Sequence, residues 1–273
     1  MRAPGIPDSH APARSVARKI NGERAVLLGW GRAILLQFAH PLVAAGVAEH
    51  SEFAHDIAGF VRRTHRTVGA MLGLTFGSED DIRAVAARIN GIHDRVHGTL
   101  REAAGPFPPG TLYSARDPVL LQWVHATLLD SVPLAYERFV NPLTLEEKDR
   151  YCAEATIVGP LLGIPDGMLP ASMTERDTYL EGMYESGAIV VTHTARALAA
   201  ELLSPPLGIA GRPLVGLARL ATVGLLPPFI RRAYGLAWDA DQERALHRAA
   251  TLIRRLRPFV PRALRQWPAA RVA

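Results

Sequence analysis

Asp117-Pro118-Val119-Leu120-Leu121-Gln122-Trp123-Val124-His125-Ala126-Thr127-Leu128-Leu129 is the stretch that decides the fold class of this chain. Asp-Pro opens a helix: the Asp side chain accepts from the free amides of the first turn, and Pro has no amide to leave unpaired there. Val119, Leu120, Trp123, Val124, Leu128 and Leu129 then recur at helical spacing. They bracket His125, so this imidazole is expected to point inward or into a cavity.

Upstream, Ala104-Gly105-Pro106-Phe107-Pro108-Pro109-Gly110 cannot continue a helix and reads as a loop. Before it, Ser78-Glu79-Asp80-Asp81 supplies a cap oxygen and first-turn carboxylates for a helix expected to run from Asp80 through His93 and His97. Between Glu23 and Ala39, Val26, Leu27, Trp30, Ile34, Leu35 and Phe38 keep helical spacing; Pro41 then marks a break and leaves His40 at the joint. Downstream, helices are expected at Leu145 to Leu162, Thr174 to Glu185, Val190 to Leu203, Leu214 to Leu225 and Asp241 to Leu256. Sustained period-two alternation and Asn-Gly hairpin turns are missing, so the expectation is an all-α fold. Residues 23–273 read as a single multi-helix domain and residues 1–22 as a flexible N-terminal arm.

With 273 residues, 48% of them hydrophobic, the chain can bury a large core. One cysteine, Cys152, excludes an internal disulfide and fits a reducing compartment, and the N-terminus lacks the apolar run of a secretory signal. A cytoplasmic location is expected. Ala33 to Ala48 is interrupted by Gln37, His40 and Pro41, and Leu207 to Ile230 by Arg212 and Arg219, so neither is a clean span. Both read as buried helices, with peripheral membrane contact open for the second. Residues 205–273 hold 12 of the 31 Lys and Arg and 3 of the 26 Asp and Glu. These arginines lack interleaved aromatic platforms and read as solvated helix surface, not a nucleic-acid site.

The chemistry rests on imidazole. On one helix, His93 and His97 would share a face, and His125 lies downstream in apolar surroundings. Few other side chains ligate iron or zinc while neutral at pH 7. The spacing is that of a zinc-protease helix, but Asp94 follows the first His where Glu would serve as base. From spacing alone, structural histidines, an iron or haem site and a zinc hydrolase all stay open. His40 and His125 each read as core packing or as ligands. Arg63 and Thr67, four apart, would aim a cation and a hydroxyl at one point, such as oxygen or a haem propionate; Arg62, Arg63 and Arg66 read equally as an exposed basic face. A GxSxG elbow, a Walker loop and a dinucleotide GxGxxG are all missing.

The ordered motifs resemble the MpaB-type oxygenase family, which shares the catalytic domain of the rubber oxygenases, or latex-clearing proteins. The likeness rests on Gln37-Phe38-Ala39-His40-Pro41 through Val47 with Glu49-His50-Ser51 and Phe53, on Arg63 with Thr67 before Phe76-Gly77, and on Ile92-His93 with Val96 and Gly98. It continues through Tyr113-Ser114-Ala115 with Asp117-Pro118, Trp123-Val124-His125-Ala126-Thr127, Leu162-Gly163-Ile164-Pro165 and Gly224-Leu225-Leu226-Pro227-Pro228. The resemblance implies a globin-like helical core carrying haem b with a His as proximal iron ligand, and dioxygen-dependent cleavage of an isoprenoid double bond. By motif, His93 is the first choice for that ligand, with His97 as the neighbouring alternative and His40 among the haem-binding residues. Arg63 and Thr67 match a polar pair near the haem, and His125 another family histidine. Rubber-cleaving members resemble this chain except that Lys precedes the Thr, where Arg66 stands here. Arg cannot act as a base as Lys can, so the resemblance implies a smaller unsaturated terpenoid or lipid, not rubber. A zinc hydrolase using His93 and His97 and a non-enzymatic lipid or isoprenoid carrier are the rival readings.

Overall fold

Helix α6, Pro118–Phe139, runs through the middle of the molecule and organises the rest. In this computed structural model, which describes residues 15–50, 57–205 and 207–272, Asp117 caps it by accepting from the Val119 amide at 2.9 Å, with Pro118 in the first turn. Its buried residues include Leu120, Trp123, Ala126, Leu129, Val132 and Phe139, spread around the helix because other helices cover it on several sides. Among the described residues the fold is all-α, as the periodicity predicts, with one two-stranded hairpin that the periodicity does not predict.

The segment expected as one helix from Glu23 divides into a 3-10 turn, Arg24–Gly29, and α2, Trp30–Phe38. Gly29 and Gly31 explain the close packing there. A Cβ on Gly29 would meet the Ser131 carbonyl of α6 at 2.6 Å, and one on Gly31 would collide with Thr222 of α10, Gly208–Leu225. After His40 the chain turns sharply, at 106°, into α3, Pro41–His50. Pro41 in the first turn loses no hydrogen bond, which is why the break falls there.

Residues 15–22, assigned to the flexible arm by sequence, are instead folded: Val16–Asn21 form α1, with Val16 and Ile20 buried. Ser15 caps it locally by accepting from the Arg18 amide at 3.2 Å, and the amides before that are satisfied from far away. Glu154 of α7, Leu145–Thr156, accepts from the Val16 amide at 3.1 Å, the Ala17 amide at 2.8 Å and the Ser15 hydroxyl at 2.7 Å. A carboxylate at a helix start is favourable, but one supplied from 138 residues away leaves no local sequence signal. Residues 1–14 lie outside the described residues.

Helix α4 covers Ile57–Phe76 and α5 covers Glu79–His93, the latter opened by a reciprocal box between Ser78 and Asp81. Strands β1, His97–Thr99, and β2, Leu112–Ser114, pair antiparallel around the Pro-rich loop. Helices α8, Met173–Glu185, α9, His193–Leu203, and α12, Ala240–Leu256, follow the downstream periodicity closely, with α11 at Pro228–Ala233. Among the described residues, no single helix is long and apolar enough to cross a membrane.

Candidate functional site

Helix α5 stops at His93, so His93 and His97 do not share a helical face. The Asp94 amide bonds Asn90, the Arg95 and Val96 amides bond Ile92 and His93 at 3.1 and 3.0 Å, and the Ala115 amide then takes the Val96 carbonyl at 2.8 Å. The chain leaves the helix for the hairpin, where His97 stands opposite Ser114 and is exposed. Val96 and Gly98 are poor helix residues, and Gly98 is also sterically required. A Cβ there would sit 2.5 Å from the Tyr113 hydroxyl oxygen. The expected imidazole pair is therefore replaced by one imidazole on a helix end and one on a strand, and no cluster of three or more His, Cys, Asp or Glu suited to a metal occurs among the described residues. The geometry on which a zinc hydrolase reading depended is not formed.

His93 is half-buried, and its Nδ1 is buried without a hydrogen-bond partner. Burial pushes its pKa down, the Arg116 guanidinium pushes it further, and Asp94 opposes both. Arg116 itself pairs with Asp94, Nε to Oδ1 at 3.3 Å. One turn earlier on α5, Asn90 donates from Nδ2 to the Leu161 carbonyl at 2.8 Å and leaves its Oδ1 buried and unpartnered. The turn after Leu161 closes over Arg116: a Cβ on Gly163, whose φ is +90°, would lie 3.6 Å from a guanidinium nitrogen. Asn90, His93 and Arg116 thus form one polar edge between α5, the 160–163 turn and the entry to α6.

The residue after Arg116 leads to a second imidazole. His40, at the α2–α3 joint, is 3% exposed, packs its ring 5.3 Å from that of Phe107, and feels the charge of Asp117. Burial outweighs that attraction and holds its pKa at about 4, with Nδ1 unpartnered. For His125, two turns into α6, burial outweighs the raising influence of the Ala155 backbone on α7 and takes its pKa to about 4; its Nε2 is buried without a partner. Three imidazoles are neutral at pH 7, each with an idle ring nitrogen inside the protein. Buried polar atoms are paired in the great majority of cases, so an unpartnered nitrogen on each of these ligating side chains leaves each ring able to take a further partner.

A family model described as ER-bound oxygenase mpaB/B'/Rubber oxygenase, catalytic domain, matches residues 17–255. The chain belongs to this family of oxygenase catalytic domains. Similar to this oxygenase-family chain are the uncharacterized proteins Mb2261 of Mycobacterium bovis and Rv2237 of Mycobacterium tuberculosis, each 27% identical over 233 residues, covering 84% of this chain and 87% of the relative. No solved structure matches it.

Several motif positions of this MpaB/rubber oxygenase domain have structural duties. Gln37 donates to the Thr127 hydroxyl at 3.1 Å, and that hydroxyl donates to the Val124 carbonyl at 2.7 Å, tying α2 to α6. Tyr113 donates its hydroxyl to Glu49, which also pairs with Arg101 at 3.0 Å, tying the hairpin to α3. The Leu225 carbonyl accepts from Arg32 at 2.7 Å. Arg63 and Thr67 fall on α4 one turn apart as expected; Thr67 is exposed, and the Arg63 side chain lies outside the described residues. Asn90 and Arg116 carried no mark in the sequence reading. Asn90 lies three residues before His93, a helical neighbour that spacing alone offered; Arg116 joins His93 only through the hairpin.

For the haem implied by the family resemblance, the donor chemistry fits. A neutral imidazole with an unoccupied nitrogen is the form that binds iron, and burial supplies it at His93, His40 and His125. An open groove of about 470 Å³ is lined by residues of 203–219, including Leu203, Ile209 and Arg212, with no imidazole among them, and belongs to a separate feature of the surface.

Proposed function

We propose that this domain is a haem b-dependent oxygenase that uses dioxygen on an unsaturated isoprenoid or lipid-like substrate, with a globin-like arrangement around the haem. The observation that carries the reading is the buried, unpartnered Nδ1 of His93 in an imidazole kept neutral by burial and by Arg116. When bound, the haem supplies the redox chemistry with dioxygen; the protein supplies ligand, polarity and access.

His93 is assigned as the iron ligand. Arg116 disfavours a proton on the imidazole and so keeps the nitrogen lone pair free at neutral pH. Asn90, anchored to the Leu161 carbonyl, turns an acceptor oxygen toward the same edge and orients a bound water or polar group there. His40 and His125 keep uncharged rings in the interior, as an apolar surrounding for the substrate requires. Arg63 and Thr67 are assigned as the polar pair of the oxygen-binding side. With Arg66 before Thr67, a permanent cation occupies the position where rubber-cleaving members have Lys, which argues for a small terpenoid or lipid and against rubber.

The test is whether protein purified from haem-replete cells contains porphyrin and iron in equal amounts, read by Soret absorption and metal analysis. Folded, colourless protein that copurifies with lipid but no metal would replace this reading with that of an isoprenoid or lipid carrier.

A further inference from the structure

The face of α12 turned away from the core carries an apolar stripe within a field of cations. Leu246 and Ala250 are buried against the body of the protein, whereas Leu252, Leu256 and Phe259 are 57%, 50% and 84% exposed. Phe259 continues the helix through the 3-10 turn Arg257–Phe259, and the three residues recur at i, i+4 and i+7, so they share one side. Arg248 and Arg255 fall on the same outer side of the helix, and both are exposed. From Arg244 to Ala273 the sequence contains no Asp or Glu, while the acidic residues of α12, Asp241 and Glu243, stay in its first turn.

A soluble helix needs only one apolar face, and α12 already has one in its contact with the core. The second face has the composition of an interfacial helix: large apolar side chains between arginines whose long stems let the charge reach a headgroup while the residue lies low in the surface. Charge selects the occupant. A stripe bordered by arginine with no carboxylate over its last 30 residues is complementary to a plane of anionic headgroups, and the few hydrogen-bonding groups between the leucines give a specific protein partner little to read.

We infer that the outer face of α12 and the Arg257–Phe259 turn docks this domain onto the surface of an anionic lipid bilayer, with Leu252, Leu256 and Phe259 entering the headgroup region and Arg248 and Arg255 pairing with lipid phosphates. The helix lies on the membrane and does not cross it. This inference rests on the surface alone and stands whether or not the haem assignment holds.

Co-sedimentation of the full chain with vesicles tests it. Vesicles containing about one-third phosphatidylserine or phosphatidylglycerol should pellet at least tenfold more protein than pure phosphatidylcholine vesicles, and added salt should reduce binding as it screens the arginines. The double variant R248E/R255E and the single variant F259S should each lose tenfold or more of that binding with an unchanged far-UV circular dichroism spectrum, since all three side chains are exposed. Equal pelleting with neutral vesicles, or wild-type binding by both variants, overturns the proposal. So does a dimer in light scattering that F259S converts to monomer without vesicle binding by either form, which would make this face a contact between copies of the chain.

Discussion

Arg32 on α2 and Asp130 on α6 meet at 2.6 Å inside the helical core, and Arg176 from α8 approaches the other oxygen of the same carboxylate at 3.5 Å. Arg32 also donates to the Ser131 hydroxyl and the Leu225 carbonyl, both at 2.7 Å, so one guanidinium joins α2, α6 and the end of α10. Removing one partner of such a pair leaves buried charge uncompensated, a loss of roughly 3–5 kcal/mol. Asp130→Ala is expected to lower the stability read from urea denaturation by that amount, and Asp177→Ala, whose carboxylate is exposed, by less than about 1 kcal/mol.

The Gly31–Thr222 contact yields a second expectation. Any side chain at position 31 pushes into Thr222, so Gly31→Ala should cost about 1–3 kcal/mol through overpacking, in spite of the usual helix preference for Ala. Thr222→Ala removes the obstructing atoms. The double variant should recover most of the loss, and a double-mutant cycle measures the coupling directly.

His40 makes stability depend on pH. An unfolded histidine titrates near 6.5, whereas burial holds His40 near 4, so between these values the unfolded chain binds a proton that the folded chain refuses. Folding is favoured most above pH 6.5 and weakens as the pH falls toward 4. From pH 7.5 to 5 the contribution lost is about 2 kcal/mol for this one group. Denaturant titrations at the two pH values should show that slope, and His40→Gln should remove its share of it; an unchanged slope would mean the ring is accessible to protons in the folded protein.

Local signals in the sequence marked the start of α6 at Asp117-Pro118, the break at Pro41 and the cap at Ser78, because in each the deciding atoms lie within four residues of one another. The split of the Glu23–Ala39 segment was not legible: Gly29 and Gly31 act there through α6 and α10, which are distant in sequence. Helix α1 is legible only in its Ser15 cap on the Arg18 amide, because the Val16 and Ala17 amides are satisfied by Glu154, distant in sequence. His93, His40 and His125 stand out in the sequence by residue type and, for His125, by apolar neighbours, whereas the placement of His97 is not legible there, because pairing of residues 97–99 with 112–114 overrides helical spacing. That same hairpin brings Arg116 to His93, a proximity that spacing cannot express.

The most direct measurement compares the absorption spectra of wild-type, His93→Ala and His97→Ala proteins purified from haem-replete cells, with folding verified by circular dichroism. The account predicts a Soret band and one porphyrin per chain in the wild type and in His97→Ala, and loss of both in a folded His93→Ala. A full Soret band in His93→Ala, or porphyrin-free wild-type protein, would contradict it.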